Sequence, residues 1–386
     1  MQNLRLPEPD AAARAASAAL CQHINAHIHA AGGWIPFSHY MAQALYAPGL
    51  GYYSGGAQKF GAAGDFITAP ELSPLFARTL AVPAVQVMAQ SAAQILEVGA
   101  GSGVLAAELL HALDTLGQLP ERYAILELSG ELRARQQQTL QERVPQLLSR
   151  VCWLETLPPQ FRGLVLANEV LDAMPVAVVA WPDEHQIEEC GIALDAQGRL
   201  CWESRPASGA VLAAARTLEV PAPYRSEINL AASAWVAEWG RRLAAGALLL
   251  IDYGFPRHEF YHPQRRGGTL MCHYRHHAHE DPLWWPGLND ITAHVDFSAI
   301  AEAGFHAGLT VLGYTTQASF LLNCGLTDLL ARLPQDDQRA YLTAARAAEK
   351  LILPHEMGEL FKVIALGRGL EQALPGFMPG DRLHTL

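Results

Sequence analysis

The sequence predicts an α/β fold in which buried parallel strands alternate with amphipathic helices. From residue 94 onward, short apolar runs alternate with helical patterns, starting with QILEV and continuing through YAILEL and GLVLAN. A glycine-rich turn joins the first of these runs directly to its helix. Half of the 386 residues are hydrophobic and only 17% are charged, so the chain can bury a large core. These features are typical of a parallel sheet built from right-handed βαβ units.

The first 90 residues predict one helix followed by an irregular segment. Residues 10–31 are rich in alanine, with Asp10 placed as the N-cap and two glycines as the stop. The stretch that follows is dense in glycine, proline and aromatic residues, with one short helical piece at 38–46. Long irregular segments in compact domains are usually functional. We therefore expect residues 1–90 to cover a ligand site, with a packed N-terminal extension as the alternative.

Strands and helices alternate regularly between residues 91 and 175. Strands are expected at QILEV, YAILEL, VCWL and GLVLAN, with helices over 103–115 and 129–143. Residues 176–206 break this rhythm and predict short antiparallel strands. The run GALLLIDYG then resumes the buried-strand pattern. The sequence therefore predicts an α+β insertion, residues 176–243, between the fourth and fifth strands of the sheet.

The same sequence patterns predict the helices of the insertion and the elements of the C-terminal part of the chain. Helices of the insertion are expected at about 207–218 and 230–243. A loop rich in His and Trp spans 267–296, a helix begins near Asp296, and another is expected at about 336–350. ELFKVIAL is expected to be a closing strand.

Composition and charge argue against several classes of partner. The net charge of -11 disfavours a nucleic-acid partner, because binding to a polyanion depends on clustered Lys and Arg. It is compatible with a small molecule or a basic protein, and solubility alone would also explain it. Scattered cysteines without a CxxC pair predict reduced thiols rather than a metal or disulfide framework. They are Cys21, Cys152, Cys190, Cys201, Cys272 and Cys324.

The termini and apolar runs bear on localisation. The start MQNLRLPEPD carries two acids and lacks the apolar region of a secretory signal. No apolar run approaches the roughly 18 residues that a membrane helix requires. We therefore expect a soluble, cytoplasmic protein without a membrane partner, for which a homodimer is possible.

The glycine-rich turn points to an adenosine ligand. Its residues are Gly99, Ala100, Gly101 and Gly103. Alternating glycines let the backbone approach a ligand that a Cβ atom would block. The dinucleotide fingerprint G-x-G-x-x-G would require glycine at Val104, so NAD is disfavoured. Glu97 precedes the turn and would repel a pyrophosphate, but it could hold the ammonium and sulfonium groups of S-adenosylmethionine (SAM).

Glu127 strengthens the case for this ligand. It lies at the carboxyl end of the second strand, beside the glycine turn, where an acid can accept both ribose hydroxyls. The alternative is that Glu127 only caps the following helix. The turn and the acid together favour SAM over NAD.

The fourth strand ends in a polar constellation. LVLANEVLDAMPV places Asn168 at the strand end and then Glu169 and Asp172 three residues apart. On a helical turn these two carboxylates would share one face and look into the crevice at the sheet edge. Two acids suit a guanidinium, which has five donors in a rigid fork. The alternative is that Asp172 caps a turn and Glu169 pairs with a surface arginine.

Two further loops carry candidate residues. GDFITAP offers Asp65 and Thr68 before the first strand, although Asp65 also suits an Asx-turn. IDYG places Asp252 and Tyr253 at the end of the fifth strand, for acceptor binding or for strand-end structure.

The His-rich run is interpreted as a solvated or partner-facing loop rather than a metal site. The histidines between His273 and His279 are loosely spaced and lack a paired acid-histidine motif. No metal site is therefore expected. His294 and Asp296 are candidates for an acceptor channel, although Asp296 also suits the N-cap of the next helix.

Several segments together resemble the MidA family of class I SAM-dependent methyltransferases. They occur in the family's order from about residue 20 to residue 366, and the combination is far more specific than any one motif. The segments are FSHYMAQALYAPGLGYYS, GDFITAPELSPLF, ILEVGAGSG, ILELS, ANEVLDAMPV, LLIDYG and DITAHVDF.

The resemblance implies a Rossmann-like methyltransferase fold with a mostly parallel, seven-stranded sheet. It implies that residues 91–175 and 244–386 bind SAM, which leaves as S-adenosyl-L-homocysteine. Residues 1–90 would cover the cofactor, with GDFITAP beside it, and 176–243 would form a substrate or partner subdomain.

The resemblance also implies methyl transfer to an arginine of a partner protein. Eukaryotic members of the family are mitochondrial complex I assembly methyltransferases, whose partner is the 49 kDa subunit of complex I and whose product is symmetric dimethylarginine. Two alternatives stay open: a small-molecule methyltransferase, and an assembly factor that binds SAM without turnover.

Overall fold

The computed structural model describes residues 6–55, 68–334 and 336–386. Within them the chain forms two compact units. The first, which we call the mixed unit, comprises Met1–Phe66, Leu171–Ala232 and His258–Val295. The second, the parallel-sheet unit, comprises Ile67–Val170, Ser233–Arg257 and Asp296–Leu386.

The helices are α1 (Ala11–Ala30), α2 (Phe37–Tyr46), α3 (Ala69–Leu72), α4 (Pro74–Gln90), α5 (Val104–Thr115), α6 (Gly130–Arg143), α7 (Gly209–Ala215), α8 (Leu230–Arg242), α9 (Arg257–Phe260), α10 (Phe297–His306), α11 (Gln317–Asn323), α12 (Leu326–Ala331) and α13 (Gln338–Ile352).

The strands are β1 (Trp34–Pro36), β2 (Gln94–Val98), β3 (Arg122–Leu126), β4 (Val151–Leu154), β5 (Phe161–Asn168), β6 (Ala177–Trp181), β7 (Glu188–Leu194), β8 (Leu200–Pro206), β9 (Tyr224–Ile228), β10 (Leu243–Phe255), β11 (Met271–Tyr274), β12 (His277–His279), β13 (Asp290–Thr292), β14 (Val295–Asp296), β15 (Thr310–Thr316) and β16 (Phe361–Arg368).

The parallel-sheet unit is built on strands in the order β15-β16-β10-β5-β2-β3-β4. The five strands from β10 to β4 are parallel to their neighbours, whereas β16 is antiparallel to both β10 and β15. The predicted mostly parallel sheet is thus confirmed, but it has eight strands instead of the predicted seven, because β14 also pairs with β10. The chain runs outward from β2 to β4 and then returns to β5 on the other side of β2. Ligands bind open α/β sheets at such a reversal, outside the carboxyl ends of the strands.

Close strand packing in this sheet depends on glycine. Gly246 of β10 has φ +123°, and a Cβ atom there would lie 1.9 Å from the carbonyl oxygen of Gly163 on β5. Any side chain at this position would therefore push the two central strands apart.

The mixed unit contains antiparallel sheets. Strands β1, β7, β6 and β9 form one sheet, with β8 also paired to β7, and β12, β11 and β13 form another. Helices α1 and α2 contribute Leu20, Ile24 and Tyr40 to a core that also contains Ile192 of β7 and Ile291 of β13. Of the predicted insertion, residues 176–232 belong to this unit and residues 233–243 to the parallel-sheet unit.

Several local predictions are confirmed. The side chain of Asp10 accepts a hydrogen bond from the amide of Ala13 and caps α1. Asp296 caps α10 in the same way through Ala299, so its capping role is the one observed. The six cysteines are free thiols.

Other elements differ from expectation. Helix α4 lies in a region expected to be irregular and contains Pro83, which sequence rules treat as a helix breaker. The unit division assigns α4 to the parallel-sheet unit and 258–295 to the mixed unit, unlike the predicted boundaries. The His-rich run is not a loop but a β-hairpin, whose turn residues Arg275 and His276 both have positive φ.

Among the described residues, no helix combines the length and the apolar character needed to cross a membrane.

Candidate active site

The glycine turn has the backbone shape that the sequence predicts. Gly99, Gly101 and Gly103 have φ values of +66°, +52° and +82°, and Gly103 is the N-cap of α5. A Cβ atom on Gly99 would lie 3.0 Å from the side chain of Val170, and one on Gly103 would lie 3.0 Å from the backbone of Gln136. Glycine is therefore required at these two positions by the left-handed backbone and by close packing against Val170 and Gln136.

Glu97 lies in β2, immediately before this turn, and is only 2% exposed. Its carboxyl group accepts a hydrogen bond of 2.5 Å from the hydroxyl of Tyr123 on β3. Burial raises the pKa of Glu97 to about 7, since loss of hydration outweighs the stabilising hydrogen bond from Tyr123. A cationic ligand group nearby would favour the ionised form of Glu97 and lower its pKa again.

Glu127 follows β3 and faces the start of α6. Its two carboxyl oxygens accept hydrogen bonds from the amide of Ser129 at 2.8 Å and from Nε2 of Gln136 at 2.9 Å. Burial raises the pKa of Glu127, and these hydrogen bonds act in the opposite direction. The alternative role of capping α6 belongs instead to Ser129, whose hydroxyl accepts from the amide of Leu132.

Gln136 is a site residue that the sequence analysis missed. It is fully buried in α6, and its Nε2 also donates to the carbonyl oxygen of Gly101 at 3.2 Å. Its Oε1 accepts from the indole Nε1 of Trp153 at 2.9 Å. Gln136 thus ties the glycine turn to Glu127. The available signal was the helical spacing between Gln136 and Leu140, the buried residues of α6.

Asn168 ends β5, as predicted, at the same sheet edge. Its Nδ2 donates to Oε1 of Glu169 at 3.0 Å. Its Oδ1 is buried and has no hydrogen-bond partner within the described part of the chain. A buried acceptor of this kind is costly unless a ligand or solvent donor satisfies it.

The predicted helical turn over Glu169–Asp172 is wrong. Glu169 has φ +54°, and its amide donates to the carbonyl oxygen of Ile251 on β10 at 2.9 Å. Asp252, next on β10, accepts from the amides of Val170 at 3.2 Å and Tyr253 at 2.9 Å. These bonds to the neighbouring strand take the amides that a helix would need, and they hold Glu169 in the left-handed region.

Asp172 belongs to the mixed unit, since the unit division falls between Val170 and Leu171. It is 4% exposed and lies in a turn, and its carbonyl oxygen accepts from the amide of Ala293 at 3.0 Å. The structure therefore assigns Glu169 and Asp172 to different units instead of one helical face.

The segment before α4 contributes one described candidate. Thr68 is the half-buried N-cap residue of α3, although its side chain makes no capping hydrogen bond. In the same short helix, Glu71 accepts a hydrogen bond from the hydroxyl of Ser102 in the glycine turn. Helix α3 is thus adjacent to the turn. Asp65 lies outside the described residues.

Within the described ranges, no group of three or more His, Cys, Asp or Glu side chains could hold a metal ion. In the hairpin, His277 contacts the carbonyl oxygen of Arg275, and His279 contacts the side chain of Asn289.

The residues of the parallel-sheet unit fit a nucleoside that carries a positive charge. The turn offers backbone amides at a helix N-terminus, Glu127 offers an acceptor at the ribose position, and Glu97 and Asn168 offer buried acceptors for cationic N–H groups. The feature that indicates a ligand is the buried Oδ1 of Asn168, which has no hydrogen-bond partner among the described residues and ends the strand next to the one that leads into the glycine turn.

Comparison with known proteins agrees with this chemistry. A family model described as S-adenosyl-L-methionine-dependent methyltransferase matches residues 76–315. The crystal structure of a Burkholderia thailandensis protein bound to S-adenosyl-homocysteine superposes with a TM-score of 0.95 at 54% identity, covering 99% of this chain and 100% of that one.

Curated relatives include "Protein arginine methyltransferase NDUFAF7, mitochondrial" from two vertebrates. The Rattus norvegicus protein is 30% identical over 390 residues, which cover 92% of this chain and 83% of the relative. The Danio rerio protein is 29% identical over 382 residues, covering 90% and 86%. On the family match and these similarities, the chain is a Rossmann-like methyltransferase of the SAM-dependent MidA family, and SAM is its cofactor.

Proposed function

We propose that this protein transfers the methyl group of SAM to a guanidinium nitrogen of an arginine in a partner protein: a nitrogen–carbon bond forms, the sulfonium–carbon bond breaks, and S-adenosyl-homocysteine and one proton are released. The observation that carries the proposal is Glu169, a carboxylate fixed at the carboxyl edge of the sheet, in a chain similar over most of its length to protein arginine methyltransferases. A small-molecule acceptor is the alternative class, but no feature of the described residues favours it.

In this proposal the cofactor is bound by the parallel-sheet unit. The backbone of Gly99, Ala100, Gly101 and Gly103 approaches the ligand, and Glu127 accepts the ribose hydroxyls. Glu97 and Asn168 accept from the ammonium group of the methionine moiety. Thr68 and Asp65 belong to the segment that we propose to cover the cofactor, within residues 1–90.

The cofactor supplies a methyl group that is activated by a sulfonium, and the protein supplies position and charge. An arginine stays protonated in water, so its attacking nitrogen must be oriented and its charge localised. We assign this work to Glu169, with Asn168 holding its carboxylate through the 3.0 Å hydrogen bond. Asp172 stays, as predicted from the sequence, a proposed catalytic carboxylate. Electrostatic stabilisation by such fixed groups is usually the largest contribution to catalysis.

We propose further that the target is a subunit of a complex I-type respiratory enzyme, of the 49 kDa kind, and that residues 176–243 help to bind it. The resemblance to the MidA family is the support for this target. The cytoplasm remains the predicted location.

The decisive experiment pairs Glu169→Gln with Glu127→Ala. Glu169→Gln should keep SAM affinity within about twofold and lose transfer of labelled methyl to protein in a host lysate, because only the acceptor charge is removed. Glu127→Ala should weaken SAM binding instead, since the ribose acceptor is lost. Amino-acid analysis of the labelled protein must give methylarginine. Normal turnover by Glu169→Gln would contradict its assignment, and label found only in small molecules would contradict the protein substrate.

A further inference from the structure

The mixed unit holds two buried aspartates beside a pair of stacked tyrosines. Asp172 is 4% and Asp290 3% exposed. The rings of Tyr46 and Tyr53 are stacked, with centroids 5.5 Å apart and an angle of 17° between their planes. Tyr46 keeps 43% of its surface exposed, so this ring pair reaches solvent.

Hydrogen bonds hold both tyrosine hydroxyls near the two aspartate positions. The hydroxyl of Tyr53 donates to Oδ1 of Asp290 at 2.9 Å, and the hydroxyl of Tyr46 donates to the carbonyl oxygen of Ala173, the residue after Asp172, at 2.8 Å. The ring of Tyr46 is exposed, but both hydroxyl groups lose hydration, which raises the pKa of Tyr46 and Tyr53, and the charges of Asp290 and Asp172 raise it further. Asp290 thus contacts Tyr53 directly, and Asp172 immediately precedes the residue whose carbonyl oxygen binds Tyr46.

Strand β13 adds a polar group that lacks a partner. Successive side chains of a strand alternate between faces, and Ile291 and Ala293 pack in the hydrophobic core of the unit. Asp290 and Thr292 consequently project from the other face. Thr292 is 2% exposed, and its hydroxyl oxygen is buried with no hydrogen-bond partner in the part of the chain that is described. Beside Asp290, this hydroxyl offers an acceptor for an N–H group.

We propose that Asp172, Asp290, Thr292 and the Tyr46–Tyr53 pair form a cradle for the guanidinium group of the acceptor arginine. The inference rests on the function proposed above and names the residues that recognise its substrate. A guanidinium is a flat cation with five donors, so it can bind carboxylates through two parallel bonds and stack on an aromatic face. An ammonium group is a compact point charge that cannot satisfy this set of acceptors in the same way.

The test measures binding of small probes to the full-length protein saturated with S-adenosyl-homocysteine. The probes are the N-acetyl methylamides of arginine, lysine and citrulline. Their binding is measured by titration calorimetry or by ligand-detected NMR. Wild-type protein should bind the arginine probe about tenfold or more better than the citrulline probe, which has the same shape but no charge. Lysine should bind more weakly than arginine.

Two variants and a control locate the site. Asp290→Asn keeps an acceptor for Tyr53 but removes the charge, and Tyr46→Leu removes the exposed ring face; each should weaken the arginine probe about tenfold without changing affinity for S-adenosyl-homocysteine. Glu184→Gln removes an exposed acid of the same unit and should leave the arginine probe unaffected. Equal binding of arginine and citrulline by the wild-type protein overturns the cradle and requires no variant to fold.

The outcome also separates this inference from the proposed function. If lysate labelling yields methylarginine but both variants bind the arginine probe normally, the function stands and the cradle is wrong. If the charge-dependent binding is found but no methylarginine forms, the cradle stands and the reaction assignment fails.

Discussion

Replacement of Glu97 by Gln tests the energetics of a carboxyl group buried under a cofactor turn. Burial raises the pKa of Glu97 from 4.5 to about 7 in the folded protein. Because the folded state binds this proton more tightly than the unfolded state, Glu97 stabilises the fold below pH 4.5, and that contribution is lost as the pH rises through 7. At about 1.4 kcal/mol per pKa unit, the change between pH 5 and pH 8 is about 2–3 kcal/mol.

The variant should remove this pH dependence. A glutamine can accept the hydrogen bond of Tyr123 and stays neutral, so the difference in unfolding free energy between Glu97→Gln and wild type should grow in the variant's favour by about 2–3 kcal/mol between pH 5 and pH 8. Urea denaturation at four pH values measures it. Other buried acids titrate in both proteins and cancel in the difference.

Cofactor binding provides a second measurement of the ionisation of Glu97. The ammonium of SAM should favour ionised Glu97, so binding at pH 6 should release a proton in wild type and not in Glu97→Gln. Calorimetry in two buffers of different ionisation enthalpy detects that proton. Parallel stability profiles of the two proteins, together with equal proton release, would refute the argument that a desolvated Glu97 receives the cationic end of the ligand.

Two further substitutions, and a control at Gly117 outside the turn, probe the geometry of the glycine turn. Gly99→Ala and Gly117→Ala both place alanine at nearly the same left-handed φ, +66° and +65°, so each should cost about 1–2 kcal/mol of stability. Only Gly99→Ala meets a neighbour, Val170 at 3.0 Å, so it alone should weaken SAM binding in calorimetry; equal affinity of the two variants would count against close ligand approach. Gln136→Leu leaves the Trp153 indole and the Gly101 carbonyl without their partner, which should cost about 1–3 kcal/mol. We expect reduced SAM affinity and altered tryptophan emission, and unchanged values of both would assign Gln136 to packing alone.

The sequence predicted those parts of the fold that local pattern determines. The structure of these parts is determined by interactions within a few residues. Examples are the apolar runs, the N-cap at Asp10 and the alternating glycines from Gly99 to Gly103. Helix α4 escaped prediction because burial of one face in the core compensates for Pro83, and that compensation is tertiary. Strand β15 and helices α11 and α12 likewise had no local signal that distinguished them.

The candidate site shows the same limit. Glu97, Glu127 and Asn168 were predicted at the sheet edge because strand ends reveal their position. The left-handed conformation of Glu169 was not predicted, because it depends on contacts with a strand far along the chain. The amide of Glu169 binds the carbonyl oxygen of Ile251, and the adjacent pair, Val170 and Asp252, is separated by 82 residues. Gln136 was missed because α6 is polar over most of its length, and only the four-residue spacing to Leu140 marks its buried face.

The left-handed backbone at Glu169 has a practical consequence for protein engineering. A non-glycine residue in this region costs on the order of 1–3 kcal/mol, and glycine would relieve most of that strain. A screen for heat-resistant variants would therefore select Glu169→Gly. That substitution would raise the melting temperature, but it would also remove the carboxylate. Libraries built to improve the robustness of this enzyme should keep that codon fixed.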